Sequence, residues 1–197
     1  MRLLAAICAA LLVAGCGSLL PAEPPMTTSL LDQMPSDLPR ASRVAATLLV
    51  YPPQARQLVD TTQMAYTLRP HHVAYYSQNQ WAETPPQMLQ PLLVRTLEAT
   101  GHFAAVLTPP GAGAGSYALR TELVDLIQDC SVDPPVVRLS LRLQLSDERN
   151  NRSLGVREIR MQEAMLQKAP QAGVAAANAA LARALREVAG FVVEGTP

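Results

Sequence analysis

Charge is scarce in this 197-residue sequence: only 16% of residues are charged, 16 basic and 16 acidic, against 49% apolar. Such a balance excludes a disordered polyelectrolyte and a basic nucleic-acid-binding domain, so no nucleic-acid partner is expected. Aromatics are few as well, with one Trp, five Tyr and two Phe. A membrane-spanning run is also missing: Leu3 to Val13 carries no charge and no proline, but falls short of the roughly 20 residues a bilayer requires. The catalytic signatures G-x-S-x-G and H-E-x-x-H do not occur, and Gly111 to Gly115 lacks the lysine and helix that would make it a phosphate cradle. The expectation is a non-enzymatic chain without a cofactor or a metal site. Its length suits one domain, at about 100 to 200 residues each.

What the chain does have begins at its start. Met1-Arg2 supplies a basic n-region and Leu3 to Val13 has the dimensions of a secretory h-region. Leu12-Val13-Ala14-Gly15-Cys16 follows and resembles the lipobox of bacterial lipoproteins, in which the cysteine thiolate acquires a diacylglycerol. Residues 1–15 then read as a signal peptide and Cys16 as the lipidation site. One acyl chain binds a membrane marginally and two or more anchor it stably. Removing Arg2 with the signal tips the net charge to about −1, so electrostatics offers no alternative attachment. With Cys8 removed and Cys16 modified, Cys130 is the sole free thiol and no intramolecular disulfide can form. Gly17, rather than an aspartate, follows Cys16; by resemblance to the lipoprotein sorting rule this implies the inner leaflet of the outer membrane, facing the periplasm.

Residues 16–43 contain Pro21, Pro24, Pro25, Pro35 and Pro39 and few large apolar residues, which reads as a lipidated tether with a short edge strand at Thr27 to Leu31. Residues 44–197 read as the folded domain. Strands are expected at Val44 to Tyr51, Met64 to Leu68, Val73 to Ser77 and Phe103 to Leu107. Thr84-Pro85-Pro86-Gln87 has the form of a capping box, Met88, Leu89, Leu92, Leu93 and Leu97 recur at helical spacing, and Gly101 stands where a C′ glycine ends a helix. Pro91 either kinks that helix or marks its start. Tyr117 to Gln128 and Val136 to Ser146 are the clearest strands: Val137, Leu139, Leu141, Leu143 and Leu145 alternate with Arg138, Ser140, Arg142 and Gln144, giving one apolar and one wet face. Leu154 to Met165 returns, with a bulge expected between Val156 and Ile159. Ala172 to Gly190 is a helix. The class is α+β: an antiparallel sheet with two helices packed on one face, in a single domain.

Candidate chemistry is sparse. His71 and His72 are adjacent, so in a strand their rings diverge and cannot chelate one ion; with His102 they read as solvated loop residues. Glu122, Asp125, Asp129 and Asp133 lie along a strand and its exit as a solvated edge. Asn151-Arg152-Ser153 has the form of a glycosylation sequon, which a bacterial signal makes coincidental. Tyr75, Tyr76 and Trp81 cluster ahead of the first helix: Trp81 suits a core plug, while one of the two tyrosines, which face opposite ways, can present an amphipathic ring to lipid or a partner. The second helix has no charge from Ala169 to Ala182. That surface, with Ala176 and Ala180, suits either close packing on the sheet or contact with a neighbouring subunit.

Taken together these residues resemble the ABC-type transport auxiliary lipoproteins, which accompany MCE-domain lipid transport systems, including the paraquat-inducible type. The resemblance spans about residues 27 to 192 and rests on the lipobox at Cys16, Leu58-Val59-Asp60 with Met64-Ala65-Tyr66, Val73-Ala74-Tyr75-Tyr76 with Trp81-Ala82, Met88-Leu89, Leu92, Leu97, Gly101-His102-Phe103, Val106 and Ala175 through Leu181. The chain departs from it at Phe191, where tryptophan is usual, and at Pro91. The resemblance implies a lipid-anchored periplasmic component that assembles with an MCE-domain protein and, by the same resemblance, a homo-oligomeric ring at the outer membrane. A periplasmic lipid carrier, or a lipopolysaccharide-assembly lipoprotein, is the alternative, and either would need an apolar cavity between helices and sheet.

Overall fold

The computed structural model describes residues 25–110 and 115–196; the signal segment, Cys16 and most of the Gly111 to Gly115 loop lie outside the described residues. Three long strands form its spine: β7 (Tyr117–Asp129), β8 (Val136–Asp147) and β9 (Arg152–Ala164) pair as an antiparallel meander. The five-period alternation in β8 turns Val137, Leu139, Leu141, Leu143 and Leu145 onto a covered face where each is at most 3% exposed. Along the other edge of β7, three shorter strands follow one another in parallel with it: β2 (Val44–Val50), β3 (Gln54–Ala55) and β4 (Gln63–Thr67). Pro52-Pro53 interrupts this line, because proline supplies no N–H to a ladder. Outside these lie β6 (Phe103–Leu107) on β2, β5 (Ala74–Trp81) on β4, and β1 (Thr27–Ser29) on β5.

The class is α+β in one domain, as expected, and the sheet is larger than two hairpins: nine strands, antiparallel in the spine and parallel in most pairings beside it. The extra residue in β9 is Leu154, because Leu145 pairs with Gly155 and Ser146 with Ser153; the bulge is therefore not between Val156 and Ile159. A second irregularity falls at Val124 in β7.

Two helices cover one face. In α1 (Pro85–Ala99), Pro85 and Pro86 occupy the first turn and Gln87 Oε1 accepts the Thr84 N–H at 3.0 Å. Pro91 is neither the start nor a break, since the helix runs through it with the ring on the exposed side. Gly101 takes φ +67° as the C′ residue and its N–H bonds Glu98 O. α2 (Pro170–Gly195) lays Ala176, Ala177, Ala180, Leu181, Ala184, Leu185 and Val188 against the sheet and α1. Its small residues allow close approach; Gly173 lies so near the Gln128 side chain that a Cβ there would meet it at 2.0 Å. Among the described residues, no helix is long and apolar enough to cross a membrane.

The stretch expected as tether is fastened to this body from Thr27 onward. Leu31 is buried and its N–H points at Met88 Sδ, 3.4 Å away; Thr96 Oγ1 lies 3.8 Å from Met34 Sδ; and Asp37 pairs with Arg186 at 3.0 Å. Residues 30–37, continuing from β1, therefore form a strap between α1 and α2. Asn178 on α2 fixes it, its Oδ1 accepting the N–H groups of Asp32 and Gln33 at 2.9 and 3.1 Å while its Nδ2 donates to Leu30 O at 2.9 Å.

Candidate docking surface

Of the five residues expected to touch lipid or a partner, three are interior. Trp81 ends β5 at 4% exposure, with its N–H bonded to Thr62 O, and plugs the core. Ala176 and Ala180 are 5% and 0% exposed, packed beneath α2. The uncharged start of that helix is explained within the chain: one side meets the sheet, and the strap covers part of the other through Asn178. Tyr75 and Tyr76 are half-buried and lie on opposite faces of β5, as adjacent strand residues must. Tyr75 Oη donates to Leu58 O at 3.1 Å. Tyr76 stacks on Tyr66 with centroids 4.3 Å apart and donates to Gln128 Oε1 at 3.0 Å. Burial, reinforced by the neighbouring Cys130 thiol, pushes the Tyr76 phenol well above its ordinary range. Burial likewise raises the Cys130 thiol, so it sits as a protonated core residue rather than a reactive one.

Between the helices and the sheet, one space is lined by Trp81, Met64 and Ala177 and another by Leu31, Leu89, Leu139 and Leu181, each about 10 Å³, and an acyl chain has no room in either. An open groove of about 590 Å³ at the outer edge, between the strap, α2 and β9, is walled by Asp37, Arg157, Arg183, Arg186 and Glu187 and is not the apolar cavity that the carrier reading requires.

The opposite face of the sheet is uncovered by either helix and charged. Register places Arg142 of β8 between Glu122 of β7 and Glu158 of β9, Arg138 beside Ile127 and Gln162, and Gln144 between Arg120 and Val156. Arg120 lies over the Tyr51 ring at 4.3 Å and reaches Glu148 at 3.3 Å. Arg160 pairs with Glu158 at 2.8 Å. Among the described residues Arg142 forms no ion pair. A groove of about 590 Å³ runs across this surface, lined by the Val156 side chain and by Tyr51, Pro52, Pro53, Arg120 and Arg142.

Asp125 and Asp129 are not the solvated edge expected of them. Arg138 Nη1 donates to Asp129 at 2.5 Å and its Nε reaches Asp125 at 3.4 Å, while the Asp129 side chain is only 8% exposed. Burial raises the Asp125 carboxyl, and Arg138 pulls it partly back. His71 and His72 are exposed on the β4–β5 hairpin. His102 differs from the loop residue expected: it is 4% exposed, with Nδ1 2.7 Å from Ser42 O and Nε2 3.0 Å from Thr196 Oγ1, tying β6 to the chain entering β2 and to the C-terminal end. Asp125 lines a separate open groove of about 700 Å³ with His71, His72, Asp129 and Arg138, which His102 does not enter. Among the described residues no cluster of His, Cys, Asp or Glu is arranged to hold a metal ion.

No curated protein matches the sequence. Solved structures share the fold. A protein from Xanthomonas campestris superposes with a TM-score of 0.78 at 22% identity, covering 86% of this chain and 96% of that one. An uncharacterized protein gives 0.69 at 15% identity, covering 85% and 99%, and a hypothetical protein from Chlamydia trachomatis gives 0.53 at 10%, covering 75% and 95%. At such identities the likeness is one of fold alone. In sequence, residues 29–189 match the family described as ABC-type transport auxiliary lipoprotein component, and the chain belongs to that family.

Proposed function

We propose that this chain is a lipid-anchored, non-enzymatic docking component of an ABC-type phospholipid transport system, receiving an MCE-domain protein on the periplasmic side of the outer membrane. The reading rests on the uncovered face of the β7–β8–β9 meander. A sheet sealed by helices and strap on one side and left charged and grooved on the other offers a surface for a protein and no chamber for a lipid. Alternating Arg and Glu across three registered strands gives that surface specificity more than raw affinity. Attachment comes from Cys16, because a balanced charge gives no general attraction to headgroups.

Co-isolation of the MCE-domain protein with the lipidated chain tests the docking. Arg142→Glu reverses the charge at the centre of this face and should weaken retention at least about tenfold, since it sets a carboxylate against the partner groups that Arg142 would meet and like-charge juxtaposition across an interface costs several kcal/mol. Undiminished retention for Arg142→Glu and for Val156→Asp would remove this face from the interface. Palmitate labelling that survives Cys16→Ser would sink the anchor.

A further inference from the structure

Four exposed aliphatic side chains gather at one end of the sheet. The register fixes this: Thr67 pairs with Asp129, Asp129 with Val136, and Val136 with Ala164, so the β4–β5 hairpin, the β7–β8 hairpin and the β9–α2 loop share that end. Backbone bonds join them, Cys130 N–H to Thr67 O and Met165 N–H to Pro135 O, both 2.8 Å. From these three loops project Leu68 at 64% exposure, Val73 and Val132 at 43% each, and Leu166 at 99%. Two cations stand among them, Arg69 and the chain's single lysine, Lys168. The hairpin at the other end, Asp147-Glu148-Arg149-Asn150-Asn151-Arg152, is wholly polar. Fully exposed leucine on a held loop is costly to leave in water, and a group of them on one surface marks a contact.

The course of the chain says with what. β1 runs parallel to β5, with Thr27 beside Asn79, and β5 starts at Ala74 next to the aliphatic end. Followed backwards from Thr27, the chain is therefore heading toward that end, where Val73 stands. Cys16 lies eleven residues earlier, a covalent reach of at most about 36–40 Å.

We propose that this end of the sheet rests on a phospholipid surface, with Leu68, Val73, Val132 and Leu166 entering the headgroup layer and Arg69 and Lys168 meeting its phosphates. The proposal deepens the lipid-anchored reading above and depends on it for the tether at residue 16. Aliphatic side chains flanked by cations are the chemistry of an interfacial contact, and a tether holding them near lipid removes most of the cost of bringing them there. The uncovered sheet face then stands roughly upright on the membrane, open to the periplasm.

The test supplies the tether artificially, so that it does not depend on natural acylation. The mature chain, with Cys16 replaced by a histidine tag and Cys130 by alanine, is bound to vesicles of phosphatidylethanolamine and phosphatidylglycerol containing a nickel-chelating lipid and a spin-labelled quencher lipid. A fluorophore at Leu166→Cys should be quenched, whereas one at Asn150→Cys should not. Adding Leu68→Asp to the Leu166→Cys chain should shift the docked population about tenfold, the loss expected for one leucine leaving an apolar site. Equal quenching at both positions, or none at 166, overturns the proposal. So does a blue shift at 166 that occurs without vesicles, which would assign the patch to a second protein surface. Failure of palmitate labelling or of co-isolation would instead count against the anchor or the docking face.

Discussion

The two faces of the β7–β8–β9 meander carry the same strands in the same register and have opposite chemistry. On one, β8 buries Val137, Leu139, Leu141, Leu143 and Leu145 under two helices and a strap. On the other, the intervening Arg138, Ser140, Arg142 and Gln144 face the charged and polar side chains of β7 and β9 and solvent. The difference teaches that the covered face carries the stability while the open face is free to vary in charge, and substitutions can be ranked by it.

The largest effect belongs to the covered face. Leu185→Ala, at a site 0% exposed between α2 and the sheet, should cost about 2–5 kcal/mol in urea unfolding. A loss below 1 kcal/mol would mean that the helix layer is loosely seated and would dissolve the contrast. On the open face the costliest position is Arg138. Its removal leaves the Asp129 carboxylate nearly buried without its cation, and Arg138→Ala should cost about 1–2 kcal/mol, moderated because the guanidinium itself is a third exposed.

The strap gives a local effect of similar or smaller size. Asn178→Ala removes its three side-chain bonds to the strap, and one to Val174 O, and should cost about 1–2 kcal/mol. The gain in amide exchange should be confined to Asp32, Gln33 and their neighbours. Exchange that rises equally in β8 would show that the strap and the sheet open as one unit.

An acid titration probes the polar hairpin. The Asn150 side chain, with the Asn150 and Arg149 amides, holds the Asp147 carboxyl below its ordinary range, and Ser146, with Arg120, does the same for Glu148. Because the folded state binds these protons less tightly than the unfolded state, their stabilisation is complete above about pH 5 and is lost as pH falls through the lower folded values. Asp147→Asn should lower the melting temperature at pH 7, where that stabilisation is complete, and converge with the parent chain in acid, so that the acid limb flattens in pH-dependent thermal melts. Arg142→Gln, which removes the cation without adding a carboxylate, should have the smallest effect on stability, within about 0.5 kcal/mol, and separates a loss of partner retention from the cross-strand repulsion that Arg142→Glu adds beside Glu122 and Glu158.

Local elements of the fold were legible because their signals are local. The alternation from Val136 to Ser146 lies within one strand, and Thr84 to Gln87 with Gly101 brackets one helix. What eluded the sequence depends on distant partners. The strap has only Leu31 and Met34 as apolar anchors, and the side chain that holds it, Asn178, lies 145–148 residues away. The parallel pairings of β2, β3 and β4 with β7 leave no mark in the composition of any one strand. Arg138 could have been found: the antiparallel hairpin that places it opposite Ile127 also brings it to both aspartates of β7, a step that spacing along one strand does not reveal. The absence of charge from Ala169 to Ala182 was visible and left packing on the sheet and contact with another subunit both open; the structure packs it on the sheet and adds the chain's own N-terminal segment through Asn178.

The parallel seating of β1 on β5 has a mechanical consequence. A pull on the chain ahead of Thr27 acts along the strand axis, so the ladder bonds of Thr27, Thr28 and Ser29 are loaded together in shear rather than opened one after another. The Asn178 contacts and the buried Leu31 lie behind them as a second set of fastenings. Tension from a membrane attachment would thus reach the folded body through a joint built to share load, and the body would follow the movement of its anchor without unravelling from its first residue.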